Sequence, residues 1–96
     1  MSIELTTRVV HLEGLQTANV DEDIVILNMA TNSYIALDDI GRRIWELIET
    51  PRRVDELCAQ LTGEFNGDPA QIQSDVLSFL DEMVNEKLVR VVDGET

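Results

Sequence analysis

Hydrophobic positions along the chain change their period near Asp38. Before it, short apolar runs lie between polar turns. After it, apolar residues recur every three or four positions. Ile24 to Met29 (IVILNM) predicts a strand that is apolar on both faces. Ala30-Thr31-Asn32 has turn chemistry, and Ser33 to Leu37 (SYIAL) returns antiparallel as the second arm of a hairpin. Gln16 to Val20 reads as a preceding strand, ended by the acidic turn Asp21-Glu22-Asp23, so the three strands predict a meander. Thr7 to Leu12 (TRVVHL) reads as a strand or a loosely attached arm, and the stretch up to Gly14 has no clear period.

The strand at Ser33–Leu37 runs straight into a helix. Asp38 or Asp39 is a natural N-cap, and Ile40, Ile44, Trp45, Leu47 and Ile48 follow at helical spacing. This first helix is expected over Asp39–Glu49, stopping before Pro51 because the residue before a proline avoids the helical region. A second helix is expected over Val54–Phe65, with an apolar stripe of Val54, Leu57, Cys58 and Leu61 and a stop at Asn66-Gly67. A third starts at Asp68 as N-cap, with Pro69 in its first turn and Gln71 placed for a capping box, and runs to about Lys87. Leu88 to Val92 reads as a closing strand and Asp93 to Thr96 as a frayed tail. The pattern predicts one α+β domain over residues 1–96, winged-helix-like, with a three-stranded antiparallel sheet followed by three helices.

The third helix carries more apolar surface than one core requires. At 100° per residue Ile72, Val76, Phe79 and Met83 fall within about 60°, and Leu77, Leu80, Val84 and Leu88 widen the arc to roughly 180°. A helix packed on one side needs a stripe only somewhat over 100° wide. The surplus is either deeper burial or a binding face. Asp75, Glu82 and Glu86 border the arc beside Phe79, and an apolar strip with an acidic rim suits a peptide with apolar anchors and a nearby basic residue. If the strand at Ser33–Leu37 has an unpaired edge, an extended peptide can add to it as a further strand, with alternate side chains entering a groove against this helix.

Charge narrows the partners. Nineteen acids against seven Lys and Arg give a net charge of -12, which repels duplex DNA and anionic membranes and favours basic or neutral partners. The would-be recognition helix carries Asp75, Asp81, Glu82 and Glu86 with Lys87 as its only base. Forty-four per cent hydrophobic residues suffice for a core, and no apolar stretch approaches the roughly 20 residues of a membrane span. The N-terminus has no long apolar segment of the secretory kind. The single Cys58 allows no internal disulfide, so a cytoplasmic setting is the expectation.

Catalytic chemistry is not legible. His11 is the only histidine, and Cys58 lies on the apolar stripe of its helix, where a thiol packs rather than reacts. The chain has no CxxC, HExxH, P-loop or GxGxxG. A non-enzymatic, cofactor-free protein is expected.

Three blocks taken together resemble the PqqD-like family, the peptide-recognition elements of ribosomal peptide natural-product pathways. They are IVILNMATNSYIALDDIGRRIW with Tyr34, Leu37, Gly41, Ile44 and Trp45, then RRVDELCAQLTGEF, then DVLSFLDEMVNEKLV. The likeness spans about Gln16 to Val92. It implies a non-catalytic adaptor that holds a precursor's leader peptide antiparallel to the strand Ser33, Tyr34, Ile35, Ala36 and Leu37, against Asp75, Val76, Phe79, Leu80, Glu82 and Met83 of the third helix. Tyr34, Val76, Phe79 and Met83 are expected to line its pockets. Within the family the phrase YIALDDIGRRIWELIE most resembles the stand-alone leader-binding protein of lasso-peptide pathways. That implies a transglutaminase-like leader peptidase as partner, with a lasso cyclase as a further one. The alternatives are a chaperone for a radical-SAM peptide-modifying enzyme, a structural subunit of a larger enzyme and, by fold analogy alone, a winged-helix DNA-binding protein. One departure is Arg53, where relatives often place a Thr N-cap.

Overall fold

In the computed structural model, which describes residues 3–21 and 23–92, the elements run β1 (Arg8–His11), β2 (Gln16–Val20), β3 (Asp23–Asn28), β4 (Ser33–Leu37), α1 (Asp39–Leu47), β5 (Arg52–Arg53), α2 (Val54–Phe65), α3 (Pro69–Asn85) and β6 (Val89–Val92). The class is α+β, and the expected meander is present as an antiparallel sheet in the order β2-β3-β4. Its register places Ile26 opposite Ile35 and Ile24 opposite Leu37. These four side chains form the inner face, with Ile26 and Leu37 at the bottom of the core. The expected tail at 93–96 lies outside the described residues.

The single expected sheet is corrected to two. A second antiparallel sheet runs β5-β1-β6, with Arg8 opposite both Arg53 and Val92. The N-terminal segment is therefore a central strand, and Val9 is fully buried. Its backbone also explains how α2 starts without a capping side chain. Arg53 occupies the N-cap and makes no side-chain cap bond. Instead the Val54 and Asp55 N–H groups donate to the carbonyls of Thr7 and Leu5, each at 2.9 Å. The otherwise orphaned donors of the first turn are satisfied from the opposite end of the sequence. The Arg53 guanidinium turns to Asp55, 2.7 Å away, and holds that carboxyl below its ordinary range.

Helix ends differ from expectation at three points. Asp38 caps α1 through a 2.8 Å bond from the Gly41 N–H, but the helix ends at Leu47, two residues before Glu49. Asp68 stands at the N-cap of α3 without a side-chain cap bond, and Gln71 donates to Asp75 at 2.9 Å rather than closing a capping box. The third helix ends at Asn85 because Lys87 adopts a left-handed conformation, φ 65°. Leu88 N–H then reaches the Met83 carbonyl and Lys87 N–H the Val84 carbonyl, a Schellman closure built on a lysine instead of glycine.

Asn28 holds that unusual ending in place. Its buried amide donates to the Lys87 carbonyl at 2.7 Å, while its Oδ1 accepts the Ala30 N–H at 3.0 Å in the β3–β4 turn. One side chain thus ties the hairpin to the end of α3. Asn28→Ala is expected to cost about 1–3 kcal/mol, because it removes two hydrogen bonds, each worth roughly 0.5–1.5 kcal/mol net. A shift of the urea midpoint with an unchanged slope checks this; a midpoint within error of the parent would contradict it.

On the surface, Arg43 of α1 forms a two-pronged pair with Glu64 of α2, at 2.8 and 2.9 Å. Arg43, helped by Gln60, holds the Glu64 carboxyl down at about 2, against an ordinary 4.5. A depressed carboxylate stabilises the folded chain above its unfolded value. Its contribution is therefore complete above pH 4.5 and is lost as pH falls toward 2. The difference in urea midpoint between the parent and Glu64→Gln should shrink across that window. The pair is exposed, so the effect is small and weakens in salt. A difference that is constant with pH would dismiss the pair.

Candidate functional site

β4 pairs with β3 on one side, and no described strand pairs with its other edge. The backbone groups of alternate residues on that edge are available to a further strand. At its Leu37 end the edge leads to an apolar cleft of about 220 Å³ between the start of α1 and the first half of α3. Ile40, Gly41 and Ile44 line one wall, Ile72, Val76 and Phe79 the other, with Asp38 and Asp75 as the acidic groups. Gly41 sets the wall spacing: a Cβ there would stand 3.4 Å from the Phe79 ring and 3.2 Å from the capping oxygen of Asp38. The cleft presents an apolar lining with two carboxylates. Among the described residues no cluster of His, Cys, Asp and Glu could hold a metal ion.

The structure separates the residues expected at this site. Asp75, Val76 and Phe79 meet at the cleft. Leu80 and Met83 do not reach it: both are 0% exposed and belong to the core. Ile72 and Val76 are buried as well, though they also line the cleft, and Leu88 beyond the helix end is buried, because α3 packs on α2 and β6. The surplus left is Leu77, Phe79 and Val84, all half-buried, of which Phe79 lines the cleft. Glu82 is exposed beyond the cleft lining. On β4 the pleat sends Ser33, Ile35 and Leu37 inward and leaves Tyr34 and Ala36 exposed, so the Tyr34 side chain stands on the opposite face from the helices.

Sequence reasoning passed over Ile40, Ile44, Ile72 and Asp38 as cleft residues. Their signal was the proximity of the α1 N-cap to the end of β4, which identifies a junction but not its neighbour across the chain. His11 stacks on Trp45 with ring centroids 4.3 Å apart, joining β1 to α1 as a packed residue. Cys58 is buried, and burial pushes its thiol pKa up, away from reactivity.

Residues 23–89 match the family of coenzyme PQQ synthesis protein D (PqqD). The chain belongs to the PqqD family. PqqA binding proteins of Xanthomonas euvesicatoria pv. vesicatoria (strain 85-10) and Xanthomonas axonopodis pv. citri (strain 306) are each 29% identical to this PqqD-family chain over 63 residues, which is 66% of this chain and 68% of theirs. The structure of TbiB1 in complex with the TbiA(beta) leader peptide superposes with a TM-score of 0.71 at 28% identity, covering 91% of this chain and 98% of TbiB1. The PqqD portion of Methylobacterium extorquens PqqCD, described as a stand-alone recognition element for ribosomally synthesized and post-translationally modified peptides, superposes with a TM-score of 0.76. It covers 93% of this chain and 95% of that one, and at 18% identity the likeness is one of fold. The fold of this PqqD-family chain is that of the PqqD-like recognition elements.

Proposed function

We infer that this PqqD-family chain is a non-catalytic adaptor that binds the leader segment of a ribosomally made precursor peptide and presents it to a processing enzyme. One observation carries the reading: the unpaired edge of β4 runs into the apolar cleft between α1 and α3. Backbone bonds along Ser33–Leu37 supply sequence-tolerant affinity, and the cleft supplies selectivity. With the leader antiparallel to β4, the residues just N-terminal to its paired segment pass Leu37 and reach the cleft. An apolar anchor there packs on Val76 and Phe79, with Asp38 and Asp75 beside a basic neighbour. Leu80 and Met83 lie in the core beneath α3 and contribute to its stability, not to the cleft.

The processing enzyme is read as the transglutaminase-like leader peptidase of a lasso-peptide pathway, with the lasso cyclase downstream. Support comes from the lasso-like phrase YIALDDIGRRIWELIE and from the likeness to leader-bound TbiB1. The second reading, delivery to a radical-SAM enzyme, is favoured by the relatives named PqqA binding proteins. The helices and hairpin are read as winged-helix-like in arrangement but not in use, since acids line α3 where a DNA-reading helix needs bases. No described helix is long and apolar enough to cross a membrane, and a cytoplasmic setting fits the single buried cysteine.

Isothermal titration with the leader half of the precursor encoded beside the gene tests the reading. One-to-one binding that is lost when the leader's apolar residues become alanine is the expected result. No heat and no competition, with or without the processing enzyme present, would overturn it.

A further inference from the structure

Gly41 is a glycine at a position whose backbone calls for none. It lies in the first turn of α1, buried, with its N–H donated to Asp38. Among the described residues Gly14 is the only glycine with a left-handed φ, so Gly41 has a helical backbone open to any side chain. Glycine is, after proline, the weakest helix former, and alanine the strongest. Gly63 of α2 makes the contrast: a Cβ there would meet nothing within 4 Å, whereas one at Gly41 would meet three neighbours.

Space is what Gly41 supplies. The three neighbours of that Cβ are Oδ1 of Asp38 at 3.2 Å, Cβ of Leu37 at 3.4 Å and Cζ of Phe79 at 3.4 Å. All three lie on the route assigned to the leader: Leu37 ends the open edge of β4, while Asp38 and Phe79 line the cleft. The approach to Asp38 is tight, so its carboxylate would give by a few tenths of an ångström. The approach to Phe79 is ordinary contact, so a methyl group would fill the gap between α1 and the ring rather than force them apart. An apolar cavity of about 150 Å³ accepts a molecule the size of benzene. The cleft measures about 220 Å³, enough for one large apolar side chain, and a methyl group at position 41 takes its room from that space.

We propose that Gly41 is a specificity-determining residue of the cleft: the bare backbone at position 41 admits a large branched or aromatic anchor from the leader, and a side chain there restricts the cleft to smaller anchors. The proposal rests on the leader-binding reading and deepens it by naming the size class of the anchor. Backbone bonds along the β4 edge accept any sequence, so selection among leaders falls to the cleft. Within the cleft Gly41 is the one lining position without a side chain. Alanine would make a better helix at this position, and the space it would fill is on the ligand's side of α1.

The test is a cycle between Gly41→Ala and the size of the anchor. The probes are the synthetic leader of the precursor encoded beside the gene and a set in which each of its large apolar residues is singly shortened to valine. One methylene in an apolar pocket changes affinity by about tenfold or more, so Gly41→Ala is expected to bind the unaltered leader about tenfold more weakly than the parent does, and the ratio should shrink to about twofold or less for the one leader whose anchor is shortened. For the other shortened leaders the tenfold ratio should persist. The melting temperature of Gly41→Ala should not fall below that of the parent, and Gly63→Ala, the same change in open space, should leave every leader affinity unaltered. Unchanged affinity of Gly41→Ala for the unaltered leader would overturn the proposal. So would an equal loss for every leader, which would assign the effect to the displaced Asp38 carboxylate, or a lowered melting temperature, which would make Gly41 a packing residue of the core. A parent chain that binds no leader at all would instead defeat the leader-binding reading, a separate outcome.

Discussion

Met83→Ala is expected to lower the melting temperature by about 15 °C while leaving leader affinity unchanged wherever the variant is still folded. Met83 is 0% exposed and sits on the core face of α3 among the largest fully buried side chains. Truncating a buried Met to Ala removes its transfer energy and leaves a cavity, together about 2–5 kcal/mol. In a domain of this size each kcal/mol shifts the midpoint by about 4–8 °C. Total stability for such a domain is only about 5–15 kcal/mol, so the loss is a large fraction of it. Thermal unfolding by circular dichroism, beside leader titration at low temperature, separates the two readings of this residue. A small thermal shift with a large loss of affinity would return Met83 to the binding surface.

Phe79→Ala is expected to do the reverse. Phe79 lines the cleft opposite Gly41 and is half-buried, so truncation removes contact area from an incoming anchor more than from the core. As a central anchor it should contribute on the order of 2 kcal/mol, or about 30-fold in affinity for the leader. Its melting temperature should fall less than that of Met83→Ala. Titration of both variants with the same leader peptide is the measurement. Unchanged affinity in Phe79→Ala would remove that residue from the site and point the leader away from the α1–α3 cleft. The two variants differ by four positions on one helix, about one turn, and their opposite expected behaviour comes from depth alone.

That contrast shows which part of this protein is written locally. The period change near Asp38, the N-cap at Asp38, the stop at Asn66 and the alternation in β4 each depend on neighbours within a few residues, and each was legible. The family likeness was legible for the same reason, since it lies in ordered local phrases. The apolar arc of α3 was legible as an arc. Its division into core and cleft was not, because apolar spacing reports which side chains share a face and says nothing of what packs against it.

Tertiary structure decided the rest. β1 and β6 come from opposite ends of the chain, and neither segment names the other; only their pairing turns a loose-looking arm into a central strand, with the carbonyls of Leu5 and Thr7 just before it capping α2. The left-handed Lys87 is held by Asn28, a residue of the hairpin, so the end of α3 could not be placed from its own sequence. Gly41 reads as a weak point in a helix until Phe79 is brought over it, when it becomes the spacing of a cleft. The sequence by itself determined the elements, the acidic charge and the family, because these follow from near neighbours and composition. Depth, pairing partners and the meeting of α1 with α3 depend on contacts between distant residues, and only the folded chain decides them.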